Sequence, residues 1–69
     1  MHGMRVTCEV VGAETHDLEL DPEATYGDVL AAVGLSAREA TVVVDGSPVP
    51  EDRPVDADAV RVLRLIKGG

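Results

Sequence analysis

Hydrophobic and polar residues alternate over two segments near the start of the chain. In residues 4–11 the even-numbered positions hold Met, Val, Cys and Val, whereas positions 5, 7 and 9 are polar. A second alternation covers residues 16–21, after a turn-forming stretch at residues 12–15. A period of two residues is typical of strands with one buried face. The two segments therefore predict a β-hairpin that opens the domain.

A short helix is predicted after this hairpin. Residues 21–23 interrupt the strand pattern at a proline, and Thr25 is followed three residues later by Asp28, as in a capping box. Apolar residues then recur at helical spacing, with Val29, Leu30 and Val33 on one face. Gly34 is placed to end the helix in the left-handed conformation, with Leu35 folding back as its apolar contact. We expect a helix of about two to three turns.

The remaining pattern predicts two or three further strands. Residues 41–44 are a β-branched run that ends at Asp45 and Gly46, and residues 60–66 are a run that is apolar at alternate positions. Residues 48–50 contain two prolines, which restrict them to a short or edge strand. A hairpin followed by one helical crossover can place the last strand beside the first and parallel to it. The predicted fold is a two-layer α+β domain of the β-grasp type, a mixed sheet of about four to five strands with one helix on one face.

Composition limits the kinds of partner. Thirteen acidic and six basic residues give a formal net charge of -7, which repels phosphate backbones, so we expect no direct binding of nucleic acid. Dispersed acidic charge with few lysines fits a halophilic source and an ordinary acidic protein equally well. The single cysteine, Cys8, excludes an internal disulfide, and no spacing of Cys and His indicates a zinc site. Apolar runs are too short to span a membrane, and we expect a cytoplasmic monomer with no bound metal or cofactor.

Lys67, Gly68 and Gly69 follow the last predicted strand. Residues 4–66 form the predicted domain, residues 1–3 are interpreted as an extension or a tag remnant, and residues 67–69 as a flexible tail. Glycine leaves the carbonyl carbon of a terminal carboxylate unhindered and allows backbone angles that other residues avoid. Such a tail is suited to enter a narrow active site of another protein. The alternative is a frayed terminus, because chain ends are often disordered.

Four blocks of the sequence together resemble a known family. The blocks are MRVTCEVVG, TYGDVLAAVGL, VVVDGSPVPED and VRVLRLIKGG. They resemble ubiquitin-like β-grasp proteins, above all the small archaeal modifier proteins of haloarchaea. Related carriers are the ubiquitin-related modifier and the sulfur carriers of thiamine and molybdopterin synthesis. The resemblance extends over residues 4–69 and implies a protein that is not an enzyme and is activated at Gly69.

The resemblance also implies a reaction and its partners. An E1-like enzyme would use ATP and Mg²⁺ to adenylate the carboxylate of Gly69, with Gly68 and Lys67 recognised as part of the tail. The adenylate would become an isopeptide on lysines of target proteins, or a thiocarboxylate that takes its sulfur from a donor and serves a tRNA thiolation enzyme at wobble uridine. Two alternatives are a sulfur carrier for molybdopterin or thiamine synthesis and a non-covalent β-grasp binding domain. Lys67 is the only lysine, which leaves almost no acceptor site for chains of the modifier itself.

Three other side chains have reactive chemistry, and for each we favour a structural interpretation. Cys8 shares its face with Val6 and Val10, so we expect a core residue rather than a nucleophile. His16 lies near the hairpin turn without an evident partner and is interpreted as a surface residue. Tyr26, the only aromatic residue, is expected to pack at the start of the helix rather than to stack on bases.

An apolar patch is predicted on the face of the sheet opposite the helix. Val43, Leu63 and Leu65 alternate with the residues expected to face the helix. With Arg61 and Arg64 on either side, they form a candidate docking patch for the E1-like enzyme, since ubiquitin-like proteins use this face. The alternative is a β-bulge that shifts the register and makes these residues part of the core.

Overall fold

The computed structural model describes residues 3–65, which form five strands and one helix in the predicted order. The elements are β1 (Met4–Val10), β2 (Thr15–Leu20), α1 (Tyr26–Ala32), β3 (Ala40–Val44), β4 (Ser47–Val49) and β5 (Ala59–Arg64). The strands lie in the order β2-β1-β5-β3-β4. β5 pairs parallel with β1 and antiparallel with β3. The predicted α+β class, with a mixed sheet and the last strand at its centre, is confirmed.

Helix α1 begins and ends where the capping residues predict. The backbone N–H of Thr25 donates to Asp28 Oδ2 at 2.9 Å as part of a capping box. At the other end Gly34 has a φ of 80°, and the N–H of Leu35 donates to the carbonyl of Leu30 at 2.9 Å. This Schellman motif requires a residue that tolerates positive φ. No helix within residues 3–65 is long and apolar enough to cross a membrane.

The core lies between α1 and one face of the sheet. Alternate strand residues and the apolar face of the helix supply its fully buried side chains, which are Val6, Cys8, Tyr26, Val29, Val42 and Val62. The predicted core role of Cys8 is therefore confirmed. The other face of the sheet, which we call the open face, has no helix packed against it within the described residues. It carries the odd-numbered residues of β1 and β5.

A few boundaries differ from the sequence-based expectation. β1 ends at Val10 instead of residue 11, because the hairpin closes there through a 3.0 Å bond from the Val10 N–H to the Glu14 carbonyl. β3 begins at Ala40, one residue earlier than expected. The loop between β4 and β5 contributes buried Val55 to the core, a residue that no strand or helix pattern marks. These features depend on contacts between distant segments, which hydrophobic periodicity does not encode.

Candidate functional site

The candidate site begins where β5 ends. Val62, in the middle of β5, is fully buried, and β1 and β3 flank the strand on both sides. The backbone is still held past the end of β5, because the Leu65 N–H donates to the Glu39 carbonyl oxygen at 2.7 Å. The predicted tail residues Lys67, Gly68 and Gly69 lie outside the described residues. The chain that leads to them is anchored in the sheet up to Leu65.

An apolar patch lies on the open face close to this point. The register between β3 and β5 is unbroken from Ala40↔Arg64 to Val43↔Arg61, so no bulge shifts the alternation. Leu63 and Leu65 are 41% and 52% exposed, and Val43 is half-buried. These residues lie on the face that the alternation predicts. We call Val11, Val43, Leu63 and Leu65 together the open-face patch.

Val11 belongs to this patch although no sequence motif marks it. Its N–H donates to the Val62 carbonyl at 3.0 Å, which places it beside Leu63. Its side chain is 40% exposed. Position 11 continues the odd-numbered face of β1, so the alternation could have identified it. The turn that starts at Gly12 conceals this, because strand parity is expected to end where a turn begins.

The two arginines of the candidate docking patch lie on opposite sides of the sheet. Arg61 lies on the open face, where its Nε is 3.4 Å from Glu9 Oε1. Arg64 is opposite buried Ala40 in the register, at the end of the helix-covered side, because successive residues of a strand face opposite sides. The structure therefore brings Arg61 together with the open-face patch but separates Arg64 from it by the thickness of the sheet.

The three other side chains with reactive chemistry, those of Cys8, Tyr26 and His16, are buried or half-buried in the fold. Cys8 is fully buried, and burial raises the pKa of its thiol, which keeps it in the unreactive protonated form. Tyr26 is also fully buried at the start of α1, as predicted, and burial raises the pKa of its phenol. His16 lies opposite Cys8 in the register and is half-buried rather than at the surface, because this side of β2 faces α1. None of the three is placed as an exposed catalytic group.

The fold, with a central last strand leading towards the tail, is that of a ubiquitin-like β-grasp protein. A family model described as small archaeal modifier protein 2 matches residues 4–66. The small archaeal modifier protein 2 of Haloferax volcanii is 59% identical over 66 residues, covering 96% of this chain and 100% of the relative. The chain therefore belongs to the small archaeal modifier protein 2 family.

Solved structures agree with this assignment. The crystal structure of the Haloferax volcanii protein matches with a TM-score of 0.74 and 57% identity, covering 96% of this chain and 100% of that one. The ubiquitin of Caldiarchaeum subterraneum matches with a TM-score of 0.78 and 20% identity, covering 97% and 99%. At that identity the second match shows the fold alone. The resemblance noted in the sequence is confirmed for both family and fold.

Proposed function

We propose that the chain is a ubiquitin-like modifier that is activated at the carboxylate of Gly69, is conjugated to proteins, and also carries sulfur. Membership of a modifier family carries the proposal, and the central position of β5 supports it. Four residues beyond Leu65 reach at most about 14 Å. That length is enough to deliver a carboxylate into another protein's active site while β5 stays in the sheet.

The proposed first step is adenylation by an E1-like enzyme with ATP and Mg²⁺. The Gly69 carboxylate attacks the α-phosphate, pyrophosphate leaves, and a mixed anhydride with AMP forms. A carboxylate is a poor electrophile, whereas the anhydride has AMP as a good leaving group. The absent side chains of Gly68 and Gly69 leave the carbonyl carbon open to attack. In this step the chain is a substrate, and the catalytic groups belong to the enzyme.

The adenylate then has two proposed fates. A lysine amine of a target protein displaces AMP and loses a proton, which gives an isopeptide bond. Alternatively, hydrosulfide from a sulfur donor attacks the carbonyl carbon of Gly69, AMP leaves, and loss of a proton gives a thiocarboxylate. A tRNA thiolation enzyme then takes the sulfur for wobble uridine. Both fates use the same tail, so they differ only in the partner that meets the adenylate.

The open-face patch is the proposed contact with the activating enzyme. Its exposed leucines offer an apolar surface next to the base of the tail. All thirteen acidic residues precede position 59, whereas Arg61, Arg64 and Lys67 follow it. The end of the chain is therefore basic in sequence; of its arginines, Arg61 lies beside the open-face patch, 3.4 Å from Glu9 Oε1, and Arg64 lies on the other side of the sheet. A complementary enzyme surface is apolar with an acidic margin.

The test combines the full chain with an archaeal E1-like enzyme, ATP and Mg²⁺. We expect release of pyrophosphate and an intact mass that corresponds to the adenylate, and replacement of one oxygen by sulfur when a sulfur donor is added. A variant that lacks Gly68 and Gly69 should show neither product. A control variant that lacks His2 and Gly3, the same number of residues from the other end, should react like the unaltered chain.

Measurements in cells separate the proposed fates. Because Lys67 precedes the two glycines, trypsin should leave Gly-Gly remnants on target lysines wherever conjugation occurs. Sulfur transfer should be seen as thiolated tRNA that decreases when the two glycines are removed. Conjugates and thiolated tRNA that persist without Gly68 and Gly69 would contradict the proposal and leave non-covalent binding as the function.

A further inference from the structure

The two edges of the sheet differ in their capacity to pair with a further strand. β2 and β4 are the edge strands of the described sheet. β4 spans only Ser47–Val49, where Pro48 has no N–H to donate, and Pro50 follows directly after the strand. β2 spans the six residues Thr15–Leu20 and contains no proline. Within residues 3–65, β2 is therefore the edge that is both long enough and equipped to add a strand.

Alternate residues of β2 direct their backbone groups away from β1. The Val10 N–H donates to the Glu14 carbonyl at 3.0 Å, so even-numbered residues of β2 bond to β1. Bonded and non-bonded pairs alternate along an antiparallel ladder, and the register of β1 with β2 is unbroken. The outward-facing residues are therefore Thr15, Asp17 and Glu19. Together they present three N–H and three C=O groups with no strand to pair with among the described residues.

The side chains beside this edge define the chemistry of a matching strand. Leu18 and Leu20 are half-buried on the side covered by α1 and pack against the core. Asp17 and Glu19 are exposed on the open face. Residues 14–23 contain five acidic residues and no lysine or arginine. A matching strand would therefore be aliphatic on one side and basic on the other.

The charge of this edge opposes pairing between two copies of the chain. Two β2 edges in contact would place rows of carboxylates against each other, and like charges across a strand pair are destabilising. Among residues 3–65, the polar side-chain contacts of Asp17 and Glu19 are long, 3.4 Å to Thr7 Oγ1 and 3.9 Å to Arg5. Exposed contacts of this kind contribute little, so a cation from a partner can replace them at small cost.

We propose that the β2 edge binds an extended basic segment of a partner protein as an additional strand. The backbone of the segment pairs with Thr15, Asp17 and Glu19, its aliphatic side chains cover Leu18 and Leu20, and its lysines or arginines lie beside the two carboxylates. Because side chains alternate across a sheet, the segment alternates aliphatic and basic residues. Strand addition is an established mode of peptide recognition. The proposal does not involve Gly69 and is independent of activation of the tail.

The test is an NMR titration of the ¹⁵N-labelled full chain with a capped peptide of about six residues, in which lysine and valine alternate. We expect the largest amide shifts in Thr15–Leu20 and slower hydrogen exchange at the N–H groups of Thr15, Asp17 and Glu19. A peptide of the same sequence with N-methylated amides keeps its charge but loses the backbone donors. It should bind at least about tenfold more weakly, and equal binding of the two peptides would overturn the proposal.

Two charge variants separate strand addition from general attraction between opposite charges. Asp17→Lys with Glu19→Lys changes the β2 edge, and Glu51→Lys with Asp52→Lys makes the same change in net charge in the exposed loop after β4. The first variant should bind the peptide at least about tenfold more weakly, and the second nearly as well as the unaltered chain. Equal weakening by both variants, or the largest shifts on the open-face patch, would contradict the proposal. Thermal unfolding of each variant checks that it is folded.

Discussion

Tyr26 joins the start of α1 to the loop between β4 and β5. Its side chain is fully buried, and its hydroxyl donates to Asp56 Oδ1 at 2.7 Å while accepting from the Asp56 backbone N–H at 3.3 Å. Its own backbone N–H donates to the Arg53 carbonyl at 3.0 Å. One residue thus connects two segments that are 30 positions apart. The sequence predicts that Tyr26 packs at the start of the helix but not that it bonds to Asp56. Two residues 30 positions apart share no local sequence pattern.

Removing the hydroxyl tests this connection. Tyr26→Phe keeps the buried ring but removes the hydroxyl that bonds to the side chain and backbone of Asp56, so we expect the free energy of unfolding to fall by about 1 kcal/mol. For a domain of this size that corresponds to a decrease in Tm of about 4–8 °C. Thermal and denaturant unfolding at neutral pH measure the change. Asp52→Asn, at an exposed carboxylate in the same loop, is the control and should have almost no effect.

The same variant has a characteristic pH dependence. Burial raises the pKa of the Tyr26 phenol in the folded state above its ordinary value of about 10. The folded state therefore holds this proton more tightly than the unfolded state, so stability is constant below about pH 10 and is lost as pH rises through the folded pKa. Tyr26→Phe has no phenol to titrate. The difference in free energy of unfolding between the unaltered chain and the variant should therefore shrink above about pH 10. Cys8 is present in both proteins, so its contribution cancels in this difference. A difference in free energy of unfolding that stays constant at alkaline pH would contradict this account.

At the scale of the element, successive residues of β5 face opposite sides of the sheet, so some contribute to stability and others are available for recognition. Val62 is fully buried between β1 and β3, whereas Leu63, the next residue, is 41% exposed on the open face. The buried residue anchors the base of the tail to the core. The exposed residue belongs to the proposed contact with the activating enzyme. Two neighbouring positions of one strand thus carry separable tasks.

A pair of alanine substitutions tests this separation. Val62→Ala should lower the free energy of unfolding by about 2 kcal/mol, because it leaves a cavity in the core, and should leave the KM for adenylation unchanged. Leu63→Ala should change stability by less than about 0.5 kcal/mol but raise that KM several-fold. Denaturant unfolding and pyrophosphate exchange measure the two effects. An unchanged KM for Leu63→Ala would argue against the open-face patch as the docking surface.

Elements were predictable where their signals are local. The alternation of β1, the capping box at Thr25 and the left-handed Gly34 each lie within a few residues of what they determine, and all three are confirmed. The loop after β4 was not predictable, because its place depends on distant bonds such as that from the Gly27 N–H to the Glu51 carbonyl at 2.7 Å. Strand parity predicted the open-face patch except Val11, next to the turn. The role of Gly69 is inferred from the chemistry of the tail and stays a prediction, because Gly69 lies outside the described residues.

At the scale of the whole molecule, acidic charge exceeds basic charge with little local compensation. The formal net charge is -7. The ion pairs among residues 3–65 are exposed, with closest distances of 3.4–3.9 Å, and pairs of this kind contribute little. The folded state is therefore subject to net repulsion among its carboxylates.

Added salt should relieve this repulsion. We expect the Tm to rise with NaCl concentration, mainly below about 0.15 M, where the Debye length falls towards 8 Å. An increase of about 1 kcal/mol in the free energy of unfolding would raise the Tm by about 4–8 °C. Differential scanning calorimetry of the unaltered chain and of the Glu51→Lys, Asp52→Lys variant measures the effect. The variant, with less net charge, should respond less; identical salt dependence of the two would indicate a cause other than charge repulsion.

The position of β5 determines how the domain resists a mechanical pull from its C-terminal side. A force applied beyond Leu65 acts along β5, which is bonded on one side to β1 and on the other to β3. The bonds on both sides are then loaded together in shear, whereas an edge strand pulled along its axis would be held by bonds on one side alone. In the proposed conjugate, a pull transmitted through this end is therefore resisted by the hydrogen bonds of β5 to both of its neighbouring strands.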